Sequence, residues 1–266
     1  MLRILWNSES GMQAQQEKLD AISNNIANSS TNGYKKINVN FKDLVYETLD
    51  RKGYPVSSGT SKEQLTGSGT RTSNWSRDNS QGSKLDTGLK SDLYINGEGY
   101  FTVVKSDGTK AYTRCGNFSI DQNGSLTDKE GNRLVITDEY GNNINDPKNA
   151  ESIKFTNDNY VVKEDGTVTI TDGNTQHDAG KIGIYNAVGQ DSMISVGSSM
   201  FAPKEGVKMY EVKKASVSQG CIEASNVDMA KEMTDMILTE RAYQFSSKGL
   251  TTADEMWEMA NNLKGR

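Results

Sequence analysis

Residues 225–263 read SNVDMAKEMTDMILTERAYQFSSKGLTTADEMWEMANNL, and their apolar side chains repeat with the period of an α-helix. One apolar row recurs every seven residues and consists of Met229, Met236, Tyr243, Leu250 and Trp257. This spacing keeps one row facing a partner along a long helix. About 38 residues at about 1.5 Å each predict a helix of about 57 Å. The segment Ser225–Asp228 resembles a capping box and predicts where this helix begins.

A second apolar row lies about 200° around the same helix, if each residue advances by about 100°. It consists of Leu238, Phe245 and Met259. Two apolar rows on opposite sides of one helix need two partners. The methionines of this helix, Met233 among them, suit packing within a helix bundle better than a flexible binding groove.

The N-terminal segment predicts a second long helix, from Leu2 to Asn28. Its seam is spaced by seven residues and is formed by Leu5, Met12, Leu19 and Ile26, with Ile22 beside it. Two small residues, Ala14 and Ala21, lie on the opposite side and allow another backbone to come close, and Gly11 interrupts the run at a cost of about 1 kcal/mol relative to alanine. The polar stretch from Asn28 to Gly33 predicts the end of the helix.

Between the two helices the pattern changes to that of strands. Residues 34–69 predict an extended connecting arm with a mobile part from Arg51 to Gly69. Residues 70–224 predict a β-rich domain of about ten short antiparallel strands. Its turns are indicated by the pairs Asp107-Gly108, Asn123-Gly124, Asp165-Gly166 and Asp172-Gly173, each flanked by alternating apolar residues.

The predicted fold class is therefore α+β. The long terminal helices, in residues 1–33 and 225–266, are expected to pair as a discontinuous coiled-coil domain around a central antiparallel β-rich domain. We expect the N-terminal helix to cover one apolar row of the C-terminal helix. Other molecules must cover the second row, since it would otherwise remain an exposed patch.

Composition excludes several classes of function. The chain has 266 residues, 34% of them hydrophobic, and a net charge of −5 from interspersed acids and bases, which disfavours nucleic acid as a partner. We expect no membrane insertion, because no run of eighteen apolar residues occurs. The N-terminus does not resemble a cleaved signal peptide, so the protein is expected to be cytosolic or exported without one. Two cysteines, Cys115 and Cys221, predict plain thiols.

No constellation of catalytic or metal-binding residues is recognisable, and we expect no catalytic residue, cofactor or metal. The single histidine, His177, is predicted to lie in a solvated loop. Paired acids such as Asp138-Glu139 are compatible with a glycosidase but are more typical of a solvated face. An enzyme acting on the cell wall is therefore a disfavoured alternative. A secreted oligomeric adhesin, in which the helices only oligomerise, is a further alternative.

Three blocks of sequence resemble the bacterial flagellar rod and hook proteins. The first block is Asn24-Asn25-Ile26-Ala27-Asn28 followed by Thr31, Gly33, Tyr34 and Lys35. The second includes Gln81-Gly82, Asp92-Leu93, Gly99-Tyr100-Phe101, Asp107-Gly108-Thr109 and Tyr112-Thr113-Arg114. The third includes Gln219-Gly220, Glu223, Ser225-Asn226-Val227, Met236-Ile237 and Arg241-Ala242-Tyr243. Within this family the opening residues are most similar to the distal-rod members, and the proximal-rod and hook-type members are the competing alternatives.

The resemblance implies a structural subunit of the flagellar basal body in the cell envelope. Such a subunit is exported by the flagellar type III export apparatus without a cleaved leader. It polymerises with itself into a helical tube, a drive shaft that transmits torque from motor to hook, and contacts other rod and hook subunits. The residues that we expect to carry packing and assembly are Leu5, Met12, Leu19, Ile22, Asn24, Asn25, Ile26, Asn28, Gly33, Met229, Met233, Met236, Ile237, Leu238, Tyr243, Phe245, Leu250 and Trp257.

Overall fold

The structure is a computed structural model that describes residues 2–44, 46–48, 65–138, 140–146, 153–156, 159–172, 175–189 and 192–264. It contains an N-terminal helix, a C-terminal helix and a central antiparallel β-rich region, which confirms the α+β class. Helix α1 spans Leu2–Ala27 and helix α2 spans Met229–Lys264. Both predicted helices are therefore present.

The cap of α2 differs from the prediction. The Asp228 carboxylate accepts the backbone N–H groups of Ala230 (3.0 Å) and Lys231 (3.2 Å), so Asp228 is the capping residue. Ser225 Oγ instead accepts the N–H of Val227 at 3.3 Å, before the helix starts. A full negative charge at the positive end of the helix makes Asp228 the stronger cap.

The chain divides into two compact units. The helical unit comprises Met1–Ala27, Ile37–Ser76 and Asp228–Arg266, and the β-rich unit comprises Asn28–Lys36 and Arg77–Val227. The predicted arm contributes strands β1 to β3, while most of its predicted mobile part, residues 51–64, lies outside the described residues.

The helical unit contains β1 (Ile37–Asp43), β2 (Tyr46–Thr48), β3 (Leu65–Gly67) and all but the last residue of β4 (Thr70–Arg77). The next strands are β5 (Lys84–Asp86), β6 (Leu93–Asn96), β7 (Tyr100–Val104), β8 (Lys110–Thr113), β9 (Ser119–Ile120), β10 (Leu126–Thr127), β11 (Arg133–Leu134) and β12 (Ile136–Thr137). The remaining strands are β13 (Tyr160–Val162), β14 (Thr167–Asp172), β15 (Thr175–Ile182), β16 (Ile184–Ala187), β17 (Met193–Gly197), β18 (Met200–Pro203), β19 (Met209–Glu211), β20 (Ser216–Gln219) and β21 (Cys221–Glu223).

The largest sheet of the β-rich unit has, within the described residues, nine strands. Its main path runs β17-β18-β8-β7-β11-β10-β9, and β16 joins β7 to β19. A four-stranded sheet has the order β12-β15-β14-β13, and two-stranded sheets join β20 to β6 and β21 to β5. In the β-rich unit every pair with a defined register is antiparallel, as predicted.

Alternating strand residues form one apolar core in the β-rich unit. Leu93, Phe101, Val103 and Leu134 are all buried in it, and the Phe101 ring meets the Phe118 ring edge-on at a centroid distance of 5.6 Å. Gly116 must be a glycine because a Cβ atom there would lie 1.6 Å from the Leu93 carbonyl oxygen. The core therefore depends on close packing of backbone as well as of side chains.

The described part of residues 70–224 forms eighteen strands, β4 to β21, where about ten were predicted. Strands β9 to β12 have only two residues each, which is too short to produce a visible alternation of apolar residues. His177 also differs from the prediction: it lies in β15, opposite Ile170 of β14, and is exposed. The first four residues of β15, Thr175 to Asp178, are all exposed, so this part of the strand resembles a loop in sequence.

Three of the predicted turns are confirmed by positive φ angles at their glycines: Gly108 (84°), Gly124 (80°) and Gly166 (84°). The fourth, at Asp172-Gly173, falls partly outside the described residues. Two turns share the sequence Asp-Gly-Thr and the same contact. Asp107 accepts the N–H of Thr109 at 2.8 Å, and Asp165 accepts the N–H of Thr167 at 3.0 Å. Both turns are therefore closed by a carboxylate.

These contacts predict a loss of stability in acid. A hydrogen bond from the Thr109 hydroxyl lowers the pKa of Asp107, and one from the Thr167 backbone lowers the pKa of Asp165. Since the folded pKa lies below the unfolded one, each carboxylate stabilises the fold above about pH 4 and loses that effect as the pH falls through the folded pKa. We expect the urea midpoint of the parent protein to fall more between pH 5 and pH 3 than that of the D107N/D165N variant. E258Q, which removes an exposed carboxylate of α2, is the control, and equal acid sensitivity of all three proteins would contradict the prediction.

Candidate assembly surface

The two helices of the helical unit meet through small residues. A Cβ atom on Gly249 would lie 3.0 Å from Ser8 Oγ, and one on Gly11 would lie 3.3 Å from Ser246 Oγ. Residues early in α1 thus meet residues late in α2, so the helices run antiparallel. The buried small residues of the two helices are Ala14, Ala21, Thr239 and Ala253. Their short side chains allow the two backbones to approach closely.

A polar contact closes the other end of this pair. The buried Asn25 amide donates to Glu232 Oε2 of α2 at 3.0 Å and to the carbonyl of Ile37 at 2.9 Å. Asn25 Oδ1 also accepts the N–H of Ile37 at 2.9 Å. One side chain therefore binds α2 and both backbone groups of the residue that begins β1. Buried hydrogen bonds of this kind fix one register between two helices.

A face of α2 remains apolar and exposed. Its residues are Met233, Ile237, Leu238, Phe245, Met259 and Leu263. Phe245 is 70% exposed and Leu238 is 62% exposed. Fully burying one such side chain contributes about 1.5–3 kcal/mol, so covering this face would stabilise a complex substantially. An apolar patch of this extent marks an interaction surface.

The β-rich unit contains a buried cluster of charges, formed by Lys35, Arg114 and Glu223. Lys35 Nζ lies 2.7 Å from Glu223 Oε1, and Arg114 Nε lies 2.5 Å from Glu223 Oε2. Glu223 Oε1 also accepts the N–H of Gly82 at 2.8 Å, and the Glu223 carbonyl accepts the N–H of Gly33 at 2.8 Å. The cluster thus joins segments that are far apart in the sequence.

The cations of this cluster also bond to backbone carbonyls. Lys35 Nζ donates to the carbonyl of Ser80 at 2.7 Å. The Arg114 guanidinium donates to the carbonyls of Gly97 (2.5 Å), Ile95 (3.3 Å) and Gly99. Burial lowers the pKa of Lys35, although the hydrogen bond and the charge of Glu223 oppose this shift. Two cations and one carboxylate leave an excess of one positive charge in the cluster.

Comparison with known proteins identifies the family. Three protein-family models match this chain. The family "Flagella basal body rod protein" matches residues 5–35, the family "Flagellar hook protein FlgE/F/G D1 domain" matches residues 94–170, and the family "Flagellar basal body rod FlgEFG protein C-terminal" matches residues 218–263. The flagellar basal-body rod protein FlgG of Bacillus subtilis is 36% identical over 278 residues, covering 99% of this chain and 100% of the relative. FlgG of Borreliella burgdorferi is 34% identical over 275 residues, covering 99% of both chains. This chain belongs to the flagellar basal-body rod protein family.

Membership in the rod protein family makes the chain a structural subunit of the flagellar basal body and not an enzyme. FlgG of Agrobacterium fabrum, 34% identical over 275 residues and covering 99% of this chain and 100% of the relative, is a further similar rod protein. The matched regions include both helices, the contact of Asn25 and the three residues of the charge cluster. The structural features described above therefore lie in the parts of the chain that the rod family shares.

The predicted packing residues of α2 in this rod protein are distributed over several faces. Met236 and Leu250 are half-buried, whereas the exposed ones are Met229, Met233, Ile237, Leu238, Tyr243, Phe245 and Trp257. The row from Met229 to Trp257 is therefore mostly exposed, and the coverage of one apolar row of α2 by α1 stays a prediction. The face toward α1 instead carries Glu232, Thr239, Ser246 and Ala253, which are also seven residues apart. Three of them, Thr239, Ser246 and Ala253, are small and allow a closer approach than the bulky row permits.

In α1 the predicted seam is also only partly covered. Ile22 is buried, and Leu5, Met12, Leu19 and Ile26 are half-buried. Among the polar residues of the first motif, Asn25 is buried and Asn24 is exposed. Asn28 Oδ1 accepts the Thr31 hydroxyl at 3.2 Å, which closes the turn after the helix. A Cβ atom on the buried Gly33 would lie 2.6 Å from the backbone nitrogen of Cys115, and its φ angle is 69°.

The charge cluster was not predicted as a site from the sequence. Lys35, Arg114 and Glu223 each belong to a different one of the three family motifs, and a charged residue inside a shared motif was the available signal. Nothing in the spacing along the chain indicated that the three side chains meet. Tertiary contacts decide it; for example, the Gly33 N–H donates to the Glu223 carbonyl and brings the segment that carries Lys35 to β21.

Metal clusters and membrane-spanning helices are absent from the described part of the chain. No group of three metal-binding side chains occurs there, and no described helix has the length and apolar character needed to cross a membrane. Both cysteines are free thiols, as predicted. Burial raises the pKa of Cys115 and of Cys221, and Cys221 Sγ donates to Asp86 at 3.0 Å. The thiols are therefore held in their neutral form.

The charge cluster predicts a large mutational effect. We expect Glu223→Gln to lower the free energy of unfolding by about 3–5 kcal/mol, because it leaves two buried cations without their carboxylate. Lys181→Met removes an exposed ion pair, Lys181 with Glu211 at 3.6 Å, and should change it by less than about 1 kcal/mol. Urea unfolding followed by circular dichroism measures both. Similar effects of the two substitutions would contradict a structural role for the cluster.

Proposed function

We propose that this rod subunit belongs to the distal rod and polymerises into a helical tubular drive shaft that transmits torque from motor to hook. The exposed apolar face of α2 is the observation that carries this proposal. The full-length similarity to FlgG rod proteins supports the distal assignment over a proximal-rod or hook-type subunit. A protein named flagellar hook-basal body complex protein FlhP, from Bacillus subtilis, is 27% identical over 281 residues, covering 99% of this chain and 100% of the relative.

The exposed face is covered by sister copies in this proposal. Phe245 and Leu238 of one copy bind a different surface on the next copy, so the contact is heterologous and does not close into a ring. Such a contact generates a filament, whereas a two-fold contact would stop at a dimer. The dense packing that results resists compression, which a shaft under torque requires.

The antiparallel pair of α1 and α2 is proposed to act as a discontinuous coiled-coil domain in the shaft. Residues 1–33 and 225–266 would form this domain, residues 34–69 the connecting arm and residues 70–224 the β-rich domain. The residues predicted for packing would then be divided between two roles. Ile22 and Asn25 hold the helix pair, and the exposed members of α2 bind sister copies.

The remaining partners follow from the same proposal. Other rod and hook subunits bind the two ends of the polymer, and the flagellar export apparatus delivers the unfolded chain without a cleaved leader. A marginally covered helix pair suits this route, because a chain with exposed apolar helix faces gains its full stability only after assembly.

The proposal predicts that Phe245→Asp abolishes polymerisation and leaves the monomer folded. The substitution places a charge where a sister copy would bury an apolar ring, while Phe245 itself makes little contact within the chain. Gln244→Asp, at the adjacent exposed position, is the matched control. Negative-stain electron microscopy of rods and a motility assay in a strain that lacks the native subunit measure the effect.

Normal rods and swimming with Phe245→Asp would overturn the assembly mechanism. A closed oligomer of fixed size formed by the parent protein in solution would favour the adhesin alternative. Circular dichroism of the monomeric variants separates loss of assembly from loss of folding. We expect both variants to keep the unfolding temperature of the parent within about 2 °C, since surface substitutions change stability little.

A further inference from the structure

The β-rich unit contains a cavity of about 290 Å³ beside its charge cluster. It is lined by Lys35 and Arg114 together with Asn79, Glu98, Tyr100, Asn186 and Tyr210, among others. Its volume lies near the lower end for small-molecule sites, which suits a ligand smaller than a typical drug. The two cations at its wall are almost fully buried, with side chains 3% and 4% exposed.

The hydrogen-bond inventory of these two cations is incomplete within the described residues. A lysine ammonium has three N–H groups, and Lys35 donates two, to Ser80 and Glu223. A guanidinium has five N–H groups, and Arg114 donates four, to Glu223, Gly99, Ile95 and Gly97. One N–H group on each cation therefore has no acceptor among these residues.

The charge of the cluster is also unbalanced. Glu223 neutralises one of the two cations, and the nearby carboxylate of Asp78 is only half-buried, so water screens it. Burial is the largest cause of the lowered pKa of Lys35, and the charge of Arg114 adds to it, whereas Glu223 and Asp78 oppose it. A buried excess of positive charge beside a cavity favours an anionic group there.

The rest of the lining suits a hydroxyl-bearing ligand. The side-chain amides of Asn79 and Asn186 each offer donors and acceptors, as hydroxyl groups require. Tyr210 is 45% exposed and presents an aromatic ring at the cavity. Glu98 is the one feature that opposes an anion; it is exposed and accepts a long hydrogen bond of 3.5 Å from Asn186.

We infer that this cavity binds the carboxylate of a small hydroxyl-bearing ligand of the sugar-acid class. The carboxylate accepts the remaining N–H groups of Lys35 and Arg114, and the amides of Asn79 and Asn186 bind hydroxyl groups. No residue of the assembly surface on α2 lines the cavity, so failure of this binding would not count against the proposed assembly mechanism.

D-Glucuronate and D-glucose test the inference, because they differ only in the carboxylate that replaces a hydroxymethyl group. Each is titrated into the ¹⁵N-labelled full-length protein at low salt while the backbone amide signals of Gly99 and Gly189, which line the cavity, are followed. We expect glucuronate to bind with a Kd on the order of 1 mM, as a few well-placed polar contacts allow, and glucose at least tenfold more weakly.

Two substitutions that change the charge at the cavity should act in opposite directions. Glu98→Gln removes the opposing carboxylate and should tighten glucuronate binding about twofold to fivefold. Asn186→Asp keeps the acceptor for the N–H of Ala187 (2.9 Å) but adds a negative charge, and should weaken binding at least tenfold. Glu130→Gln makes the same charge change as Glu98→Gln at an exposed turn outside the cavity and should leave the Kd unchanged.

Several outcomes would overturn the inference. One is the absence of saturable shifts at Gly99 and Gly189 up to 50-fold the expected Kd. Others are equal affinity for glucose and glucuronate, and equal effects of Glu98→Gln and Glu130→Gln. Acetate binding as tightly as glucuronate would remove the role of the hydroxyl groups. Because the three substitutions are at exposed or half-buried positions, thermal unfolding of each variant confirms that the comparison is between folded proteins.

Discussion

The close approach of α1 and α2 is the constraint on which the helical unit depends. Gly11 and Gly249 face serines of the opposite helix, where even one added methyl group would meet a hydroxyl oxygen at 3.0–3.3 Å. A helix pair joined by glycine, serine and alanine leaves its larger apolar residues on the outside. The exposure of Phe245 and Leu238 is thus a consequence of how the helices pair. Small residues between the helices thus allow the close pairing and leave the large apolar residues exposed to another molecule.

The β-rich unit depends on a different kind of contact. Glu223 joins Lys35, Arg114 and Gly82 through its carboxylate and Gly33 through its carbonyl. Buried ions are costly, so such a cluster adds less to stability than an apolar core of equal size. Its geometric demands are stricter, because each partner must reach one carboxylate in a defined direction. We regard it as the feature that fixes the segment before β1 against the strand that precedes α2 within this unit.

Polar contacts of Asn25 in the first family motif and of Asn226 in the third explain why these motifs contain asparagine, which is rarely found in an apolar core. Asn25 binds Glu232 and both backbone groups of Ile37, and Asn226 accepts the N–H of Lys36 at 2.7 Å while donating to the carbonyl of Asp78 at 2.9 Å. Asparagine can donate and accept at once, which an aliphatic residue or a carboxylate cannot do. The motifs thus specify hydrogen bonds between segments that are distant in the sequence, as well as the ends of the helices.

The sequence by itself determined the α+β class, the two helices, the antiparallel turns at Gly108, Gly124 and Gly166, and the family. Each of these depends on residues that are neighbours along the chain, because periodicity and turn chemistry are local. It did not determine which face of α2 meets α1, since a row of mostly small residues and a row of bulky apolar residues both repeat every seven residues. Only the distance between the two helix backbones in the folded protein shows which row faces α1. It also did not bring Lys35, Arg114 and Glu223 together. Only the tertiary structure decided these points, because the contacts of Gly33 and Arg114 with Glu223 and the antiparallel alignment of the helices join residues that the linear order keeps far apart.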